Sequence, residues 1–102
     1  MNDLGKMVYA EVERIVLFSS IRPITSQFSK GDIRIGTAHG RIDETFYTLV
    51  HNYGESSTSS KKYVQILGNN GADEYTIWAD GRSDRNLPPN LIERLRNFKY
   101  SS

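Results

Sequence analysis

From Lys62 to Asp80, large apolar and polar side chains alternate on either side of Asn70-Gly71. A period of two marks a strand whose faces differ. Asn-Gly is the strongest short-range signal for a two-residue type I′ turn, because both central residues need φ > 0. With that dipeptide at the tip, Ile66 stands opposite Tyr75, Val64 opposite Ile77 and Tyr63 opposite Trp78. One face then carries Val64, Ile66, Tyr75, Ile77 and Ala79, and the other carries Tyr63, Gln65, Leu67, Thr76 and Trp78. The second set includes large apolar groups that one small domain has difficulty hiding.

Upstream the period changes. Leu4, Val8, Val12, Ile15, Val16 and Ser19 fall in one arc at helical spacing, with Met7 and Phe18 beside it, which predicts a helix from Asn2 to about Ser20. Asn2 is placed to cap it, and Pro23 stops the chain from continuing. The β-branched residues weaken helix preference, and a strand from Met7 to Phe18 is the competing assignment. Pro23, the hydroxyl side chains around it and Gly31 predict an irregular crossing over residues 21–31.

A first hairpin is expected next. Ile33 and Ile35 alternate with polar neighbours, Gly40-Arg41 suits a turn, and Thr45 to Val50 has strong strand character. That turn would set Ile35 opposite Phe46 and Ile33 opposite Thr48. Both faces of the return strand are partly apolar, so the pattern does not choose between loops of different parity. Gly54 to Ser60 reads as a mobile connection and Gly81 to Asn86 as a loop. Pro88-Pro89 opens a final helix with Leu91, Ile92, Leu95 and Phe98 on one stripe, Glu93 early, and Arg94, Arg96 and Lys99 late, matching the helix dipole.

The order is therefore α-β-β-β-β-α: an α+β domain in which a four-stranded antiparallel sheet of two hairpins is flanked by an N-terminal and a C-terminal helix. Each helix has only one apolar stripe to bury, so both are expected on one sheet face. The opposite face is then open unless a partner covers it.

At 102 residues the chain is expected to form one domain, spanning 1–102, small enough that self-association would add useful burial. Thirteen basic and 12 acidic residues give a net charge of +1, which indicates neither a strongly basic nucleic-acid surface nor an acidic DNA mimic. The lack of Cys excludes disulfides, thiol catalysis and thiolate metal sites, and fits a reducing compartment. No apolar run approaches the ~20 residues of a membrane span, and no leader pattern opens the chain. A cytoplasmic protein without membrane contact is the expectation.

Candidate chemistry is sparse. Gly31 to Ala38 has the glycine spacing of a phosphate loop but lacks the lysine after the second glycine and lies within a predicted strand. His39 and His51 are the only imidazoles; in the hairpin as drawn they stand roughly 30 Å apart at ~3.3 Å per residue. Asp43 and Glu44 follow His39 closely, but successive strand residues point to opposite faces, leaving a solvated turn as the better reading. Glu11 interrupts the apolar side of the first helix; an edge position with its charge in water is favoured over a buried functional acid. Neither metal nor cofactor is called for.

The aromatic sheet face has more to offer. Tyr63 and Trp78 form a cross-strand pair, and with Leu67, and with Tyr47 and Leu49 if the first hairpin faces the same way, they would make an apolar contact patch. The opposing reading is that a loop, or residues 21–31, folds back over it and makes it a second small core. Arg34, Arg41, Lys61, Lys62, Arg82, Arg85, Arg94 and Arg96 would ring the patch, an arrangement that suits bases stacking on rings while cations meet phosphates. Acidic residues interleave with the basic ones, which favours an ordinary mixed-charge surface. The element order differs from the βαββαβ of RNA-recognition sheets, and no stretch carries their aromatic signature.

The expectation is a small non-enzymatic binding protein of inhibitor or adaptor type. Its site would comprise Tyr63, Trp78, Leu67, Tyr47, Arg34 and Arg41, and its partner would be a second copy or another protein. The alternative is a nucleotide or single-stranded nucleic-acid binder using the same face. An enzyme ranks third, because no nucleophile-base pair or ligand cluster assembles from these residues.

Overall fold

A computed structural model describes residues 3–19, 26–29, 32–54, 62–68 and 71–101. Helix α1 (Asp3–Leu17) is followed by β1 (Ser26–Ser29), β2 (Asp32–Ile42), β3 (Thr45–Gly54), β4 (Lys62–Gly68) and β5 (Asp73–Trp78), then by α2 (Leu91–Arg96) and the short β6 (Lys99–Tyr100). The strands form one antiparallel meander in the order β1 to β5, with β6 added on the outer edge of β2. The fold is α+β with helices towards both ends of the chain, but it has more strands than the four expected. Ser26–Ser29 is too short and polar to register as a strand by pattern. The edge of the 11-residue β2 that β3 does not take has room for β1 at one end and β6 at the other.

α1 follows the expected stripe. Val8, Tyr9, Val12, Ile15 and Val16 are buried, whereas flanking Met7 and Phe18 are exposed. Fully burying one such aliphatic side chain contributes about 1.5–3 kcal/mol. The helix ends at Leu17, short of Ser20; the proposed cap Asn2 and the stop at Pro23 lie outside the described residues. α2 is only six residues long and supplies Leu91, Ile92 and Leu95 to the same core. Phe98, expected on its stripe, instead lies beyond the helix, packed edge-on to Tyr100 with ring centroids 5.4 Å apart.

The second hairpin pairs as expected: Ile66 with Tyr75, Val64 with Ile77 and Tyr63 with Trp78. Gly71 takes a positive φ of 90°; the turn's other central residue, Asn70, lies outside the described residues, as do 55–60 of the predicted mobile connection. The first hairpin differs. Its turn is Asp43-Glu44, so Arg41 faces Phe46, His39 faces Thr48 and Ile42 faces Thr45, in place of the expected Ile35–Phe46 pairing. Asp43 adopts φ 57°, a left-handed conformation that Asp tolerates better than most residues. Gly40 serves a different purpose. A Cβ there would lie 2.2 Å from the Lys99 carbonyl oxygen, so its missing side chain is what lets β6 approach β2. A bulge between Arg34 and Gly36 absorbs the remaining offset.

The pairing from β2 through β5 sets which side chains share the helix-facing side. Ala38 and Ile42 of β2, Tyr47 and Leu49 of β3, Val64 and Ile66 of β4, and Tyr75 and Ile77 of β5 form one core with both helices. Arg34, Asn52, Tyr63 and Trp78 make a cross-strand row on the other, outer face.

The free edge of β5 is covered by the chain that follows it. The Trp78 amide donates to the Arg82 carbonyl (2.8 Å) and the Asp84 amide to the Thr76 carbonyl (3.0 Å). The Thr76 amide in turn donates to Asp84 Oδ1 (2.9 Å), and Arg85 Nη1 donates to the Glu74 carbonyl (3.0 Å). An edge sealed in this way offers little template for another strand.

Candidate functional site on the outer sheet face

Strand alternation places Tyr63 and Trp78 side by side on the face without helices, with ring centroids 6.1 Å apart and planes tilted by 35°. The Arg82 guanidinium lies 5.2 Å from the indole centre, within cation–π range. Asp80 fixes that guanidinium: Arg82 Nε donates to Oδ2 at 2.9 Å and Oδ1 at 3.2 Å. The Arg82 backbone amide also donates to Asp80 Oδ1 (3.0 Å), and this bond is the main reason the Asp80 carboxyl is held below its ordinary value. Trp78 is thus held between a phenol on one strand and a neutralised cation in the following loop.

The face is not bare. Tyr63, Gln65, Leu67, Thr76 and Trp78 are half-buried, and Val50 and Asn52 on the central strand are 0% exposed. Asn52 Nδ2 donates to Gln65 Oε1 at 2.8 Å, whereas its buried Oδ1 has no hydrogen-bond partner among the described residues. A buried acceptor left in this state costs about 1–3 kcal/mol. This unmet acceptor sits beside Tyr63, the cross-strand neighbour of Asn52.

The other expected site residues do not all gather here. Arg34 stands in the same cross-strand row, and Leu67 lies two residues along β4 from Gln65 on the same face. Arg41 shares the face but is seven residues from Arg34, about 20 Å along the strand. There it lies 5.8 Å from the ring of exposed Phe46.

Tyr47 and Leu49 belong to the opposite, helix-facing side, so their assignment to the aromatic patch is corrected: Tyr47 is 4% exposed and Leu49 0%. Pairing with β4 puts them there, because Tyr47 stands opposite Gly68 and Leu49 opposite core residue Ile66, and directly opposed residues share a face. The Tyr47 hydroxyl donates to Asp73 Oδ2 (2.9 Å) and accepts from Arg94 Nη2 (2.8 Å), tying α2 to the start of β5.

The expected basic ring is also broken up. Arg94 is engaged with Tyr47, and Arg85 lies 4.9 Å from the Tyr75 ring while bonding backbone carbonyls. Lys61 lies outside the described residues.

His39 and His51 are closer than expected. His51 pairs with Gly36, three residues from His39, or about 10 Å along the strand in place of ~30 Å. They nonetheless face opposite sides: His39 is exposed, its Nδ1 3.3 Å from Thr48 Oγ1, whereas His51 is buried beneath α1. Glu11 forms an ion pair with Arg14, with its own side chain 13% exposed. No group of three or more His, Asp or Glu side chains among the described residues could hold a metal ion, and no helix is long and apolar enough to cross a membrane.

One polar cluster escaped the sequence pattern altogether. Tyr9 and Glu13 on α1 meet His51 on β3, with the Tyr9 hydroxyl 3.2 Å and Glu13 Oε2 3.7 Å from Nε2. Burial pushes the Tyr9 phenol up to about 12, with Glu13 adding to the rise, and burial lowers His51 from 6.5. The four-residue spacing of Tyr9 and Glu13 was a usable signal for one helix face. The long-range partner was not.

Comparison with known protein families, characterised proteins and solved structures finds no match to this chain.

Proposed function

We propose that this chain is a non-enzymatic binding protein of adaptor or inhibitor type, whose contact surface is the Tyr63–Trp78–Arg82 margin of the outer sheet face. The carrying observation is the flanked indole: Trp78 is half-buried on the helix-free face, between Tyr63 and an Arg82 that is ion-paired with Asp80. Aromatic and Arg side chains with little rotamer freedom left to lose are the groups that dominate protein interfaces. Leu67 and Arg34 extend the surface along the sheet.

Support for a protein partner, a second copy included, over a phosphate-bearing ligand comes from the fate of the cations. Arg82 is paired with Asp80, Arg85 with carbonyls and Arg94 with Tyr47, so few charges near the rings remain uncommitted to meet phosphates. The sealed β5 edge directs attention from strand addition to side-chain contacts.

Sedimentation of wild type and Trp78→Ala across a range of concentrations tests the reading. A folded variant with lower mass, or one that no longer binds a partner held by wild type, is expected. A variant that unfolds would make Trp78 a core residue and end the proposal. Binding to oligonucleotides that weakens steeply with salt would favour the nucleotide or single-strand reading instead.

A further inference from the structure

His51 is 6% exposed on β3, with its ring edge-on to that of Tyr9 at 81° and a centroid distance of 5.9 Å. Its Nε2 is the one atom shared by two α1 side chains, Tyr9 at 3.2 Å and Glu13 at 3.7 Å. The Tyr9 hydroxyl, on a residue only 8% exposed, has no other hydrogen-bond partner among the described residues. A phenol satisfies its proton by donating, so the neutral ring that suits it carries its own proton on Nδ1 and presents a bare Nε2. An imidazolium cannot do this, because both nitrogens then carry hydrogen. Glu13, with its side chain 34% exposed, is the acceptor then in reach.

We propose that His51 is a proton-operated latch between α1 and the sheet. In the neutral state Nε2 accepts a hydrogen bond from the Tyr9 hydroxyl; when a proton from solvent adds to Nε2, that nitrogen no longer accepts from Tyr9 and donates to the Glu13 carboxylate. No bond other than N–H forms or breaks, and the same proton leaves on return to neutral pH.

The groups facing the ring account for both directions. α1 brings Tyr9 and Glu13, and β4 brings Lys62, whose charge opposes protonation. Its cross-strand partners are Gly36 on β2 and apolar Val64 on β4, and its neighbours along the same face of β3 are apolar Leu49 two residues back and the phenol Tyr53 two residues on. Burial and Lys62 hold the ring neutral, while Glu13 pulls the other way and keeps the charged state attainable. Acidification therefore leaves the Tyr9 hydroxyl without its acceptor under α1, and the turn of helix containing residues 9–13 loosens. The apolar stripe of Val8, Val12 and Ile15 keeps the helix docked.

Nitrogen NMR of the imidazoles in the intact chain, followed from neutral to acidic pH in wild type, Tyr9→Phe and Glu13→Gln, tests the latch. The expected results are the Nδ1–H tautomer at neutral pH and a midpoint below 6.5 in wild type. The midpoint should move upward in Tyr9→Phe, which loses the neutral ring's donor, and downward in Glu13→Gln. An Nε2–H tautomer at neutral pH, or a Glu13→Gln midpoint equal to that of wild type, would overturn it. The tautomer is read on the unaltered chain, so it decides the matter even if a variant fails to fold.

Discussion

The ring of Tyr47 occupies the space a side chain at Gly68 would need: a Cβ on Gly68 would lie 2.3 Å from Tyr47 Cδ2. The two are cross-strand partners where the start of β3 meets the end of β4. The glycine therefore makes room for a core aromatic where the sheet meets α2. Gly68→Ala should destabilise the fold by about 1–3 kcal/mol, since the ring is already held by two hydrogen bonds and cannot easily yield. A denaturant titration against wild type checks this, and Gly68→Ala combined with Tyr47→Leu should recover part of the loss.

The Tyr47 hydroxyl joins two groups of opposite charge, Asp73 and Arg94. Tyr47→Phe should cost about 0.5–1.5 kcal/mol, because both partners are near enough to the surface to turn to water. In a double-mutant cycle with Arg94→Met, the two losses should sum to more than the double variant shows, since both variants break the same bond.

Ile77 and Trp78 are consecutive but point to opposite faces, and their truncations should differ in kind. Ile77 is 0% exposed in the core, and Ile77→Ala should cost about 2–5 kcal/mol. Trp78→Ala should cost less while changing the solution mass or partner binding. Equal and severe unfolding of both would place the two rings of the outer face in a second core.

Stability should fall on mild acidification. Burial lowers the folded-state pKa of His51 below 6.5, so the unfolded chain binds more protons in the window between the folded value and 6.5. The contribution is complete above 6.5, declines as pH drops through that window, and levels off below the folded value. Denaturant midpoints between about pH 8 and 5 should decline in wild type and vary less in His51→Gln, which has no group titrating there at this position.

Thr76 gives a local readout of the sealed edge. Its outward amide donates to Asp84 Oδ1 and its carbonyl accepts from the Asp84 amide. Asp84→Ala should accelerate hydrogen exchange at Thr76 by about tenfold, the equivalent of one lost hydrogen bond of about 1–1.5 kcal/mol, and leave the β3 amides unchanged.

The chain's local chemistry already specified much of this. Val8, Val12, Ile15 and Val16 recur at helical spacing because one face must be buried, and the alternation about Asn70-Gly71 put Tyr63 and Trp78 together on one face. The second hairpin was legible because its two faces differ in composition. In the first hairpin they do not: Phe46 and Val50 on one side balance Tyr47 and Leu49 on the other, so nothing local selected the register. Gly40 looked like a turn former, when its role is to admit the Lys99 carbonyl from a strand nearly sixty residues later.

What the sequence by itself determined is the set of periodic segments and, where polarity differs across a strand, which side each residue takes. Only the tertiary structure decided that Tyr47 lies under α2, that Arg82 lies over Trp78 while Arg94 and Arg85 are used elsewhere, and that Tyr9, Glu13 and His51 meet. The physical reason is range. Periodicity records contacts between a segment and a generic apolar environment, whereas register depends on a distant strand, and cation placement and the His51 cluster on particular partners 47 and 42 residues away, and no local pattern encodes those.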